Sequence, residues 1–160
     1  MRRKEREVTN PERIDEFLRR EKICRLGFVD GGEVYIVPMN YGFATEEGRR
    51  VLYFHSAKEG RKAALVKESP RVGFEIDGGF ELWEGKMACA FSAGYQSVIG
   101  NGVIRMVDGE ENKKRALTVI MNHNVGEREW EFDANLLREV AVFRLEVTEI
   151  SCKEHVRKKE

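Results

Sequence analysis

Hydrophobic positions change period several times along this chain, and the changes mark its elements. In "NPERIDEFLRR" Ile14, Phe17 and Leu18 recur at helical spacing. With Thr9 or Asn10 as cap and Pro11 in the first turn, they predict a short amphipathic helix laid on another layer. The period then falls to two. "ICRLGFVDGGEVYIVPMNYGFA" reads as a hairpin turning at Asp30-Gly31-Gly32, "TEEGRR" as the next turn, and "VLYFHS" as the next strand. "SAKEGRKAALVKESP" predicts a helix ended by Pro70, with Ser56 as its cap and Glu59 closing a capping box. "RVGFEID", "FELWE", "MACAFS" and "YQSVIGNGVIRMV" predict strands separated by glycine-rich turns. "DGEENKKRALTVIMNHN" predicts a second helix, capped by Asp108 with Glu111. Its Ala116, Leu117, Ile120 and Met121 face inward, with "NKKR" on the solvated side. "DANLLREV" holds a short helical turn, and "VAVFRLEVTEISC" alternates as a long closing strand.

Strands therefore dominate and helices come singly, which excludes the regular alternation of a doubly wound sheet. The pattern predicts one mainly β domain over residues 1–160: a small closed antiparallel barrel with two or three peripheral helices. A charged fraction of 35% against 41% hydrophobic fits a globular chain rather than a disordered one. The formal net charge is zero, so no global field favours nucleic acid or an anionic membrane. The basic ends (Arg2, Arg3, Lys4 and Arg157, Lys158, Lys159) read as solvated termini. No apolar run approaches the roughly 20 residues of a membrane span, and the start lacks the order of a signal peptide. Cys24, Cys89 and Cys152 are odd in number and widely spaced, a poor disulfide framework that fits buried free thiols and a cytoplasmic setting. His55, His123 and His155 have no zinc-ligand spacing with them. His123 at a helix end reads as a dipole partner, and His155 as plain surface.

The chemistry concentrates where "VLYFHS" meets the following helix. Alternation puts Val51, Tyr53 and His55 on one face of the strand and Leu52, Phe54 and Ser56 on the other. A helix start presents free amides and a positive dipole end to an anion; Gly60 permits close approach, and Arg61 and Lys62 add two cations. Each charge-assisted bond to a phosphate contributes about 1.5–3 kcal/mol. The same residues would equally serve simply to start a helix. No Walker pattern occurs, and Gly100-Asn101-Gly102 lacks the third glycine and the helix of a dinucleotide fingerprint, so a strand bulge is expected there. Trp83 and Trp130 read as core or lid packing, and Tyr95 as a neighbour of Ser97.

The segments "VPMNYGF", "LYFHSAKEGRK" and "YQSVIGNG", in this order and separation, resemble the FMN-binding split-barrel superfamily related to pyridoxamine 5′-phosphate oxidase. The 5-nitroimidazole reductase (Nim-type) branch is the most similar, and "MRRKEREVT" and "ALTVIMNH" extend the resemblance from residue 1 to about 123. It implies a six-stranded antiparallel split β-barrel of Greek-key type, forming a homodimer with FMN at the interface. By position it implies Ser56, Arg61 and Lys62 at the flavin phosphate, with His55 and Ala57 lining the cofactor. Pro38, Met39, Asn40 and Tyr41 would run along the ring edge, and Ser97 and Val98 would meet the cofactor from a second barrel strand. Gln96 stands where this branch often has arginine, which removes a cation and leaves the phosphate to the first segment.

The expected activity is a flavin-dependent oxidoreductase passing electrons to a small flat acceptor such as a nitro-heterocycle or quinone. The catalytic residue is unknown, with His55 the one possible proton donor. No nicotinamide-nucleotide site is evident, and nothing resembles the substrate-binding C-terminal segment of true pyridoxamine phosphate oxidases. A flavin carrier or sensor without turnover, and a split barrel holding haem, are the alternatives.

Overall fold

The computed structural model describes residues 3–157. Arg2, Lys158 and Lys159 of the basic ends lie outside them. Eight strands form one antiparallel sheet: β1 (Glu7–Val8), β2 (Ile23–Asp30), β3 (Glu33–Asn40), β4 (Gly42–Glu46), β5 (Arg49–Ala57), β6 (Arg71–Trp83), β7 (Ser92–Met106) and β8 (Val140–His155). Four helices accompany it: α1 (Pro11–Arg20), α2 (Arg61–Glu68), α3 (Glu110–Val125) and α4 (Ala134–Glu139). The spatial order is β3-β2-β6-β7-β8-β5-β4, with β1 paired to β8. This is the expected mainly β split barrel, built from six long strands with β1 and β4 as short additions.

Its interior follows from alternation. Leu26 and Phe28 of β2, Leu52 and Phe54 of β5, Phe74 and Ile76 of β6, and Phe143 and Leu145 of β8 all point inward and are buried. Helix α1 closes one end. Asn10 caps it by accepting from the Arg13 amide at 3.1 Å, and Ile14, Phe17 and Leu18 complete the core. Burying each such large side chain contributes roughly 1.5–3 kcal/mol. The opposite face of β5 and β8 carries Val51, Tyr53 and Val142, which pack with Ala116 and Ile120 of α3 as a second, smaller cluster. Helix α3 comes this close because Gly42 has no side chain: a Cβ there would sit 2.6 Å from the Ile120 nitrogen.

Several local expectations are corrected. The helix after β5 starts at Arg61, with Gly60 as N-cap and Ser56 still in the strand, so the Ser56–Glu59 capping box does not form. Seven residues of β5, Val51 to Ala57, pair with β8, and this pairing outweighs a local cap. "RVGFEID" and "FELWE" are one strand, β6, irregular between Gly78 and Glu81. "MACAFS" is not a strand: Ala88–Ala90 form a 3-10 turn, and β7 begins at Ser92. Helix α3 takes Gly109 as N-cap with no side-chain bond, so Asp108 does not cap it. The register shift between Asn101 and Gly102 is the expected strand irregularity.

One basic position and two histidines differ from their sequence reading. Lys113 is not solvated; its Nζ donates to the carbonyls of Leu137 at 3.2 Å and Val140 at 2.9 Å. His123 joins Glu21 O (2.7 Å) and the Phe43 amide (3.4 Å) instead of serving as a simple dipole partner. His155 stacks 4.7 Å from Trp83, and its Nδ1 lies 2.8 Å from Ala93 O. Cys24 and Cys152 are buried free thiols, whereas Cys89 is exposed. Among the described residues no helix is long and apolar enough to cross a membrane, and no His/Cys/Asp/Glu group could hold a metal ion.

Candidate functional site

At the C-terminal end of β5 a cavity of about 550 Å³ opens, lined by Pro38, Met39, Asn40, His55, Ser56, Ala57, Lys62, Leu136, Glu139 and Val140. Three separate segments build it. β3 is the last strand of the sheet path, so its outer edge carries unpaired backbone groups, and Pro38 within it has no amide to donate. β5 delivers His55, Ser56 and Ala57 to the mouth. The start of β8 closes the wall because His55, Ser56 and Ala57 pair with Val142, Ala141 and Val140.

Helix α2 begins beside the cavity, and its first turn has no side-chain cap. The first amide with an intrahelical partner is Ala64, donating to Gly60 O at 3.2 Å, which leaves the amides of Arg61, Lys62 and Ala63 as orphan donors. Gly60 has φ +117, a conformation that side chains rarely adopt, and nothing lies within 4 Å of where its Cβ would be. The positive helix end is therefore open. A recess of about 100 Å³ lies here, lined by Tyr35, Ser56, Ala57, Glu59, Gly60, Arg61 and Lys62, and it shares Ser56, Ala57 and Lys62 with the larger cavity.

The two cations differ in how free they are. Arg61 donates from Nε to Asp30 Oδ2 at 2.7 Å, and its guanidinium sits 4.3 Å from the Tyr35 ring centroid. Asp30 is the last residue before the β2–β3 turn, so this pair ties the hairpin to α2. Lys62 lines both cavities and has no carboxylate within ion-pair distance among the described residues. Lys58 faces Glu139 at 3.9 Å, a weak contact across the rim. The Ser56 hydroxyl donates to Ala57 O at 2.8 Å, leaving its lone pairs free to accept.

The structure thus gathers Pro38, Met39, Asn40, His55, Ser56, Ala57 and Lys62 in one cavity, with Arg61 in the adjoining recess. It does not bring Tyr41, Ser97 or Val98 there. Tyr41 is fully buried, its hydroxyl donating to Leu18 O at 2.6 Å and its ring 4.7 Å from His123. Burial pushes that phenol far above its ordinary range. Val98 is core. Ser97 is opposite Asp77 on β6 and Lys153 on β8, well along the sheet from β3. Gln96 accepts from Arg20 Nη2 at 3.0 Å, so α1 supplies a cation beside it. Tyr95 meets Arg6 at 3.4 Å and lies near His155, away from the cavity, as does Trp83.

Leu136, Glu139 and Val140 were missed from the sequence. The signal was present only indirectly: "DANLLREV" reads as a helical turn, but its position depends on the closing strand pairing with β5. Asp133 caps that turn through the amides of Asn135 (2.8 Å) and Leu136 (3.1 Å), and Lys113 holds its far end.

The open β3 edge, the cavity at the end of β5 and the recess at the uncapped start of α2 sit on a split barrel. Residues 10–154 match the family described as pyridoxamine 5′-phosphate oxidase, and the chain belongs to that family. A protein from Bacteroides thetaiotaomicron VPI-5482 described as a candidate 5-nitroimidazole antibiotic resistance protein superposes with a TM-score of 0.80 at 26% identity, over 92% of this chain and 86% of that one. The flavocytochrome Anf3 of Azotobacter vinelandii gives 0.81 at 20% identity, over 98% and 72%. The FAD and haem binding protein of Mycobacterium smegmatis gives 0.83 at 15%, over 97% and 76%. The last two share the fold. No curated protein matches the sequence.

Proposed function

We propose that this chain is an FMN-dependent oxidoreductase, working as a homodimer, that reduces small flat acceptors of the nitro-heterocycle or quinone kind. The observation that carries the reading is the joining of the Pro38–Asn40 edge, His55–Ala57 and Lys62 in one cavity whose recess lies at the uncapped start of α2. Its residues fit a flavin mononucleotide. A volume of about 550 Å³ is in the range of cofactor sites, with Pro38 and Met39 for a flat ring and unpaired β3 backbone for polar ring edges. The orphan amides of α2, Lys62 and the Ser56 hydroxyl would hold a terminal phosphate. Flavin, when bound, supplies the two-electron chemistry. The chain's residues anchor, orient and exclude water, and His55 at the cavity mouth delivers a proton to the reduced acceptor.

The outer face of the barrel supports a dimer. Strand pairing puts Ile36, Gly27, Gly73 and Asn101 in one row and Pro38, Arg25, Glu75 and Ile99 in the next. Val29, Val34, Ile36 and Ile99 on this face are exposed by 60% or more. Such a patch on an otherwise charged chain fits a partner. Ser97 points to the same side as Ile99, three strands from β3, about 14 Å away at ordinary strand spacing. It reaches the cavity of a second copy, not its own.

Purified protein should be yellow, release FMN on denaturation, and run as a dimer. After anaerobic reduction it should be reoxidised by a nitroimidazole or a quinone. A colourless dimer indifferent to FMN overturns the reading, a Soret band assigns haem instead, and flavin without acceptor-dependent reoxidation reduces the role to carrier or sensor.

A further inference from the structure

A second cavity, of about 280 Å³, lies directly behind His55. Its walls are Leu117, Ile120 and Met121 of α3 with Phe132, Leu136 and Leu137 from the segment leading into and through α4. His55, Leu136 and Val140 line both this cavity and the flavin-sized one, so a single layer of side chains separates the two. We infer that this apolar cavity is the specificity half of the acceptor site, taking the fused ring or apolar substituent of an uncharged quinone while its reducible carbonyl lies beside His55. The inference deepens the oxidoreductase reading and rests on it for the redox step alone; the binding claim stands separately.

Three features make this a built cavity. Its two long walls are tied together, because Lys113 of α3 donates to the carbonyls of Leu137 and Val140. The α3 wall is fixed in depth by the contact of Ile120 with Gly42, where any side chain would push the helix away. The α4 wall is fixed at its start by the Asp133 cap. Ile120 and Leu137 are buried floor, while Leu136 is 71% exposed and stands as a ridge between the cavities. A mainly apolar wall of this kind gains most from an apolar occupant. Met121 adds an adaptable wall suited to contact with a ring.

The polar residues at its mouth choose the charge of the ligand. Glu131, Asp133 and His55 are the polar members of the lining, and the Asp133 carboxylate is already occupied by two amides. Glu131 is exposed, with no cation within ion-pair distance among the described residues. An anionic acceptor would meet uncompensated negative charge here, whereas the cationic recess lies at the other end of the site. A phosphorylated substrate therefore fits poorly on this side, and an uncharged one fits well.

The test is equilibrium dialysis of menadione and of 1,4-benzoquinone against flavin-free and FMN-loaded protein. It uses a Cys89→Ser background, so that the exposed thiol cannot add to the quinone. Menadione should bind about tenfold more tightly than benzoquinone, because its second ring is buried. Met121→Trp, which fills the cavity, should remove about tenfold of the menadione affinity, leaving benzoquinone and FMN binding unchanged. Leu117→Gln serves as an independent variant that adds polarity without bulk and should act in the same direction. A sulfonated naphthoquinone should bind more weakly than menadione, and Glu131→Gln should narrow that gap. Equal menadione affinity in wild type and both variants, or no preference for the fused ring, overturns the inference. Failure of FMN to bind, with the menadione pattern intact, leaves the cavity assigned and refutes only the flavin reading.

Discussion

The cavity at the end of β5 and a second one along the same strand are close in volume, about 550 and 480 Å³, and differ in how their charged walls are paired. The second is lined by Glu46, Tyr53, Arg105, Asp108, Arg115 and Arg144 among others. Its Arg144–Glu46 side is paired internally, whereas Arg105 and Arg115 make no ion pair among the described residues. Arg144 donates from Nη2 to Glu46 at 2.9 Å and from Nη1 to Glu146 at 3.1 Å, and the Tyr53 hydroxyl donates to Glu46. Burial and that neighbouring carboxylate push the Tyr53 phenol up to about 12. At the first cavity, by contrast, Lys62 and the first α2 amides have no partner among the described residues. Volume does not distinguish the two; the unpaired Lys62 beside an open helix start in the first contrasts with the salt-bridged Arg144 wall of the second.

Charge reversal at Lys62 should show the largest effect. Lys62→Glu should weaken FMN binding by about 100-fold or more, through one lost charge-assisted bond and one new repulsion. Circular dichroism should be unchanged, and flavin fluorescence titration measures the loss; undiminished binding would reverse the comparison. Glu46→Ala in the second cavity should do the opposite: lower stability by about 1 kcal/mol in urea denaturation, with FMN affinity intact.

A pH series sharpens the contrast between structural and functional histidines. Burial holds His123 below the ordinary histidine range, and its neutral ring accepts from Phe43 N–H while donating to Glu21 O. A depressed folded value means that the unfolded chain takes the proton more readily, so stability is full above about pH 6.5 and falls as pH drops below it. The urea midpoint should fall between pH 7.5 and 5.5, and His123→Gln should flatten that slope. The smallest effect belongs to Arg61→Ala. Its guanidinium is already held by Asp30 and Tyr35, so FMN affinity should drop only about three- to tenfold.

Short-range pattern was sufficient for much of this protein. The α1 stripe, the Gly31-Gly32 hairpin, the two faces of β5 and the closing strand all follow from periodicity, because each is set by which side chains must leave water together. The β5–α2 junction was legible as the candidate site for the same reason: a serine, a glycine and two cations at a strand end are local chemistry. Where local rules competed with pairing they lost. Ser56 could cap a helix or extend β5, and pairing opposite Ala141 of β8 decided for the strand. "MACAFS" has the composition of a strand, yet Ala88–Ala90 form a 3-10 turn and only Ser92 joins the sheet, opposite Trp83. Tyr41 follows the cavity-lining Asn40 but turns into the core, whereas Ser97 and Val98 lie on β7, three strands from β3.

What the chain alone determined, then, is the mainly β architecture, its helix stripes and the cationic turn after residue 56. Only the tertiary structure decided that Leu136, Glu139 and Val140 complete the cavity, that Lys113 ties α3 to α4, and that an apolar space opens behind His55. These depend on residues some eighty positions apart meeting across β5 and β8, and strand register over such distances is fixed by packing of the whole barrel, which no local pattern encodes.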